Sequence, residues 1–129
     1  MRKFPKPFRK SFKPRFVPLV EKGIKRQTIR PYPKRACDVP IVGDIIIPFS
    51  WEGATYRSKQ IPILGDAGAE IKLVVPVLIE EDRIFSESEQ TELDKNSIAK
   101  ADGFKSWEDM RTWFIDNHKL PFKGILIRW

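Results

Sequence analysis

The sequence has one cysteine, Cys37, and one histidine, His118, in 129 residues. A single cysteine excludes an internal disulfide, and one cysteine with one histidine falls short of a transition-metal site. Cys37 then reads as a small apolar filler. His118 reads as a residue near a helix end, facing the last carbonyls. No apolar run approaches about 18 residues, so no membrane span is expected. The basic N-terminus lacks the apolar core of a secretory signal and is too rich in proline for an amphipathic transit helix. Together these absences point to the cytoplasm. The seven glycines form no phosphate-binding loop, and no paired acids stand out to hold a cation. No metal or cofactor is expected.

Acid is scarce at one end. The first 35 residues hold 13 of the 24 Lys and Arg and a single acid, Glu21; the rest hold 11 basic and 16 acidic residues. A cationic front on a mildly acidic body points to a polyanionic partner, most simply nucleic acid. The basic residues continue past the tail to Lys25, Arg26, Arg30, Lys34 and Arg35. With 41% hydrophobic residues the chain can bury a core of one domain.

The segment Gly23-Ile24-Lys25-Arg26-Gln27-Thr28-Ile29-Arg30 organises the rest. Residues 16–22 predict a short helix, with Val17, Val20 and Ile24 at helical spacing. Gly23 supplies a left-handed exit. Gln27 to Arg30 predicts a strand stopped by Pro31. Lys25 therefore falls at the corner and Thr28 inside the strand, a small polar site ringed by cations that suits an anionic ligand.

Residues 1–10 read as a basic, proline-containing arm, extended or disordered, that lies on a phosphate backbone while Phe4 and Phe8 stack or pack. Residues 11–129 read as the domain. Ser11 to Phe16 predicts a first strand. Residues 45–49 predict a buried strand, and Glu52-Gly53 the tip of a hairpin returning over 55–64. Residues 70–79 predict a strand and 86–96 a polar surface loop. A helical turn over 97–102 ends at Gly103. Ser106 caps a helix whose apolar face is Trp107, Met110, Trp113 and Phe114. A final strand runs over 123–129. About six short strands with two or three short helices make an α+β fold, a small, mostly antiparallel β-barrel with helices packed on it.

Five pieces occur in order: Ser11-Phe12-Lys13 with Arg15-Phe16, Gly23-x-Lys25-x-x-Thr28-x-Arg30, Gly43-Asp44, Ala101-Asp102-Gly103-Phe104 with Trp107-x-x-Met110, and Phe122 to Trp129. In these the chain resembles the ASCH domain family, whose fold is a PUA-like β-barrel. The resemblance implies an RNA-related role. One branch of the family is an amidohydrolase acting on N4-acetylcytidine. Its catalytic lysine and threonine match Lys25 and Thr28. Its glutamate falls on Asp102, which is one methylene shorter and changes the reach of proton transfer. In such a scheme Thr28 attacks the carbonyl, Lys25 is the base and Asp102 protonates the leaving amine.

Blander readings stand beside these. Thr28 is also an ordinary strand former, Lys25 a solvated lysine, and Asp102 a residue ending a helix. Arg30 either contacts ligand or pairs with Asp44 or Asp102. Trp51, Tyr56 and Arg57 make either a stacking platform for a flipped base or a cross-strand packing pair. Arg15, Arg26, Arg30, Lys34 and Arg35 are the expected backbone contacts. Three functions remain open. One is a hydrolase of a modified nucleoside. The second is an RNA-binding module or single-strand ribonuclease. The third is an interaction protein docking an acidic protein through its basic arm.

Overall fold

In a computed structural model residues 4–129 are described; the first three residues of the basic arm lie outside the described residues. The chain runs β1 (Pro7–Ser11), α1 (Val17–Glu21), β2 (Gln27–Pro31), a 3-10 turn (Ala36–Asp38), β3 (Ile45–Trp51), β4 (Gln60–Pro62), β5 (Ala69–Glu70), β6 (Leu73–Ile79), β7 (Ile84–Ser86), β8 (Thr91–Leu93), α2 (Lys95–Ala101), α3 (Trp107–Asn117) and β9 (Phe122–Arg128). The fold is α+β. The strands form two open sheets, not the closed barrel expected from the sequence. One has the order β1-β3-β4 with β5 also on β3; the other runs β2-β9-β6-β7-β8. Strands as short as two or three residues at β4, β5, β7 and β8 offer too few ladder bonds to carry the sheets around into closure.

The long strands are central. β6 and β9 pair antiparallel over seven residues from Leu73↔Arg128 to Ile79↔Phe122. Ile125, Leu126 and Ile127 are all buried. Successive strand residues face opposite ways, so β9 is covered on both faces. β2 closes its other edge, from Gln27↔Arg128 to Pro31↔Gly124. That register sets where Thr28 and Arg30 stand.

Three local expectations change. The first strand lies at Pro7–Ser11 rather than at 11–16, and it runs parallel to β3. Proline is tolerated at a strand's first residue, where its missing N–H costs least. Pro14 instead falls in a turn before α1. Residues 7–10 of the expected arm are thus sheet, and Phe8 is core. Second, the return strand shrinks to Gln60–Pro62, because residues 52–59 form a loop tied by Ser58, whose Oγ accepts from Gly53 N at 2.9 Å and donates to Ala54 O at 2.9 Å. Third, the polar stretch 86–96 contains β8 and the start of α2, capped by Asp94, which accepts from Asn96 N and Ser97 N.

α3 follows its sequence signals. Ser106 Oγ accepts from Asp109 N at 3.1 Å, and Trp107, Met110 and Phe114 are buried. Asp109 does not close a reciprocal box, since its carboxylate takes Lys105 N at 3.0 Å and Arg15. Cys37 is exposed in the 3-10 turn and fills nothing. Among the described residues no helix is long and apolar enough to cross a membrane.

Candidate functional site

Two residues past the end of α1 stands Gly23, at φ +73°. The chain reverses there, and both Ile24 N and Lys25 N donate to Leu19 O, at 2.9 and 3.0 Å. This swings Ile24 off the helix face into solvent and turns Lys25 inward, where it is 2% exposed. β2 then carries Thr28 and Arg30 two residues apart, on one face of the strand. Asp102 terminates α2 and is 4% exposed. Lys25, Thr28, Arg30 and Asp102 meet at one cavity of about 240 Å³. Its apolar walls are Phe12, Phe16, Phe104 and Trp113, and His118 and Asn117 stand at the end of α3 beside it.

The buried pair is the electrostatic centre. Lys25 Nζ lies 3.4 Å from Asp102 Oδ2 and donates to the Asp102 main-chain carbonyl. It also sits 4.8 Å from the centre of the Phe16 ring and 5.8 Å from that of Phe12, a distance at which the ring faces attract a cation. Burial pulls Lys25 below its ordinary value and Asp102 opposes the pull. Burial pushes Asp102 up, against Lys25 and Gln27. Both groups therefore shift toward their neutral forms, as desolvation requires. Burial lowers Arg30 to about 10, so it stays charged at neutral pH. Arg30 Nε donates to Thr28 Oγ1 at 2.9 Å and Nη2 to Ser11 O at 2.7 Å. The Thr28 hydroxyl thus bonds to Arg30, not to Lys25. Asp44 accepts Lys6 N at 3.0 Å and Ile41 N at 2.9 Å.

The other expected contacts scatter. Arg15 pairs with Asp109 and lies 5.0 Å from the Phe104 ring, behind the cavity's aromatic wall. Arg26 is exposed. Lys34 and Arg35 are exposed beyond β2, with Arg35 Nε 3.0 Å from Asp38. Trp51, Tyr56 and Arg57 belong to β3 and its following loop, and none of them lines the cavity. Trp51 packs edge-on between Phe49 and Tyr56, at 5.3 and 5.4 Å.

Sequence reasoning missed Gln27, which is 1% exposed behind Asp102. A glutamine opening a strand beside the buried Lys25 was the available signal, because a buried amide demands partners. It also undervalued His118, which packs 4.7 Å from Phe122 and borders the cavity. Burial lowers His118, so its ring is neutral at pH 7. Comparison of the chain with protein-family models, with curated proteins and with solved structures found no match.

Proposed function

We propose that this cavity binds a modified nucleoside and hydrolyses the exocyclic amide of an N4-acylcytidine, the activity that resemblance to the ASCH family implies. The observation that carries this reading is a buried Lys25–Asp102 pair opening, with a strand threonine, onto an aromatic-walled hollow. The hollow falls just under the ~300–1,000 Å³ range of small-molecule sites. A volume of this order favours a single nucleoside as ligand. Aromatic walls suit a base, and Arg30 adds a fixed positive charge.

The chemistry runs on groups already shifted toward the required forms. Thr28 Oγ attacks the acyl carbon while Lys25, which burial shifts toward its neutral form, takes the hydroxyl proton. The Arg30 guanidinium at Thr28 offsets the charge growing on the carbonyl oxygen. Asp102, which burial shifts toward its protonated form, gives its proton to N4 as the C–N bond breaks, freeing cytidine. Water then attacks the acyl-Thr28 ester and leaves one proton on Asp102. Lys25 returns its proton to Thr28, and the carboxylic acid departs.

Incubation with N4-acetylcytidine, read by mass spectrometry, is expected to give cytidine and acetate in equal amounts, with Thr28→Val inactive. Intact acetylcytidine after prolonged incubation overturns the hydrolase; shortened single-stranded RNA in a parallel tube replaces it with a nuclease. The pH profile of kcat/KM is expected to be bell-shaped. Its limb from Lys25 lies below 10.5 and its limb from Asp102 above 3.8. A profile flat across that interval removes both groups from the rate equation.

A further inference from the structure

Gln27 and Arg128 face each other across β2 and β9, at the register Gln27↔Arg128. Their side chains bond directly, Arg128 Nη2 donating to Gln27 Oε1 at 2.6 Å. The other end of the amide points at the site. Gln27 Nε2 donates to Asp102 Oδ1 at 3.3 Å and to Ile98 O at 3.2 Å. We propose that Gln27 is the positioning residue for Asp102, holding one carboxyl oxygen as acceptor so that the other, facing Lys25, carries the proton.

The orientation of the amide is forced. A guanidinium only donates and a main-chain carbonyl only accepts. Turning the amide over would set its NH₂ against Arg128 and its oxygen against both Ile98 O and Asp102. Arg128 therefore fixes the Gln27 amide, and Gln27 fixes Asp102. Both hydrogens of Nε2 are then used, one on Ile98 and one on Asp102 Oδ1. The carbonyl oxygen of a neutral carboxyl accepts an N–H better than its hydroxyl oxygen does, so the Gln27 bond favours Oδ1 as the carbonyl oxygen. The proton of the neutral acid is left to Oδ2, which lies 3.4 Å from Lys25 Nζ. Aspartate is one methylene shorter than glutamate, so a fixed carboxyl plane replaces the freedom a longer stem would give. The cross-strand register holds that plane without any loop.

This inference rests on the hydrolase reading for its consequence, but not for its first test. Titration of the Asp102 carboxyl carbon by NMR compares wild type with Gln27→Glu and Gln27→Met. A donor to the ionised form lowers a carboxyl pKa, and a neighbouring carboxylate raises it. Loss of the amide donor is expected to raise the Asp102 midpoint by about one unit in Gln27→Met, and further in Gln27→Glu. Should Gln27→Glu fail to fold, Gln27→Asn withdraws the amide by one methylene and is expected to move the midpoint in the same direction. A merely structural glutamine would lower the melting temperature and leave the midpoint in place; that result overturns the proposal. With N4-acetylcytidine, the Asp102 limb of the kcat/KM profile is expected to move by the same amount. A midpoint that moves while wild type shows no turnover sinks the hydrolase and leaves Gln27 as the carboxyl's anchor.

Discussion

Lys25→Met is expected to lower kcat/KM for N4-acetylcytidine by about 10²–10⁴-fold, the range a positioned base contributes. The variant also tests the fold, because the partner carboxyl is 4% exposed. Breaking one side of a buried pair costs about 3–5 kcal/mol when the other charge stays buried. Asp102 is already pushed toward its neutral form, so a loss near the lower end, about 3 kcal/mol, is expected. Lys25→Met with Asp102→Asn removes both charges. The asparagine oxygen still accepts from Gln27, and the double variant is expected to regain most of the lost stability with no activity. Denaturant midpoints of the two singles and the double supply the cycle. A double variant that loses the sum of the two singles would mean that the pair is not coupled.

The pH dependence of that stability has a definite sign. Lys25 has a folded value below its unfolded 10.5. Between the folded value and 10.5 the unfolded chain binds the extra proton, so this lysine makes stability rise with pH through that window. Asp102 has a folded value above its unfolded 3.8. The folded chain binds the extra proton there, so this contribution is present at low pH and lost as pH rises through the folded value. The difference in unfolding free energy between wild type and Lys25→Met should therefore grow toward alkaline pH. A difference independent of pH from 7 to 10.5 would show that Lys25 is charged in the fold.

How much of this was legible depends on how local the cause is. α3 is written in its own residues: a serine cap and apolar side chains three and four apart, later found buried. The corner at Gly23 is equally local. The cavity is not, because Lys25 and Asp102 stand 77 residues apart. Resemblance to a family pattern named that pair; no periodicity could have done so. Gln27 escaped for the same reason, its carboxyl partner being 75 residues away. β1 escaped because Pro5 and Pro7 argue against regular structure, while only the distant β3 supplies its ladder. A closed barrel was read from the number of short strands and from the family resemblance, and neither carries the shear that closure needs. The hairpin aromatics do not meet the cavity: Trp51 packs with Phe49, and Tyr56 packs on Trp51.

The largest effect on the fold is expected from a position that carries no side chain. Gly124 sits in β9 opposite Pro31 of β2 and Val77 of β6. A Cβ there would lie 2.8 Å from the Arg30 carbonyl oxygen, 2.6 Å from Cε2 of Phe122 and 3.1 Å from Cγ2 of Ile29. Backbone oxygen cannot step aside alone, and the Phe122 ring is buried. Gly124→Ala must therefore push β2 off β9, at a cost of about 3 kcal/mol and a melting temperature lower by about 10 °C or more. β2 carries Thr28 and Arg30, so the push reaches the cavity wall. A displacement near 1 Å costs about 10²-fold in rate when it misplaces a reacting group, and kcat is expected to fall with it. Gly53→Ala is the control, because its Cβ meets nothing closer than 3.6 Å; it is expected to melt like wild type. If Gly124→Ala also melts like wild type and keeps full turnover, the contact between β9 and β2 does not hold Thr28 and Arg30 in place, and the cavity wall must be fixed from β1 and α1 instead.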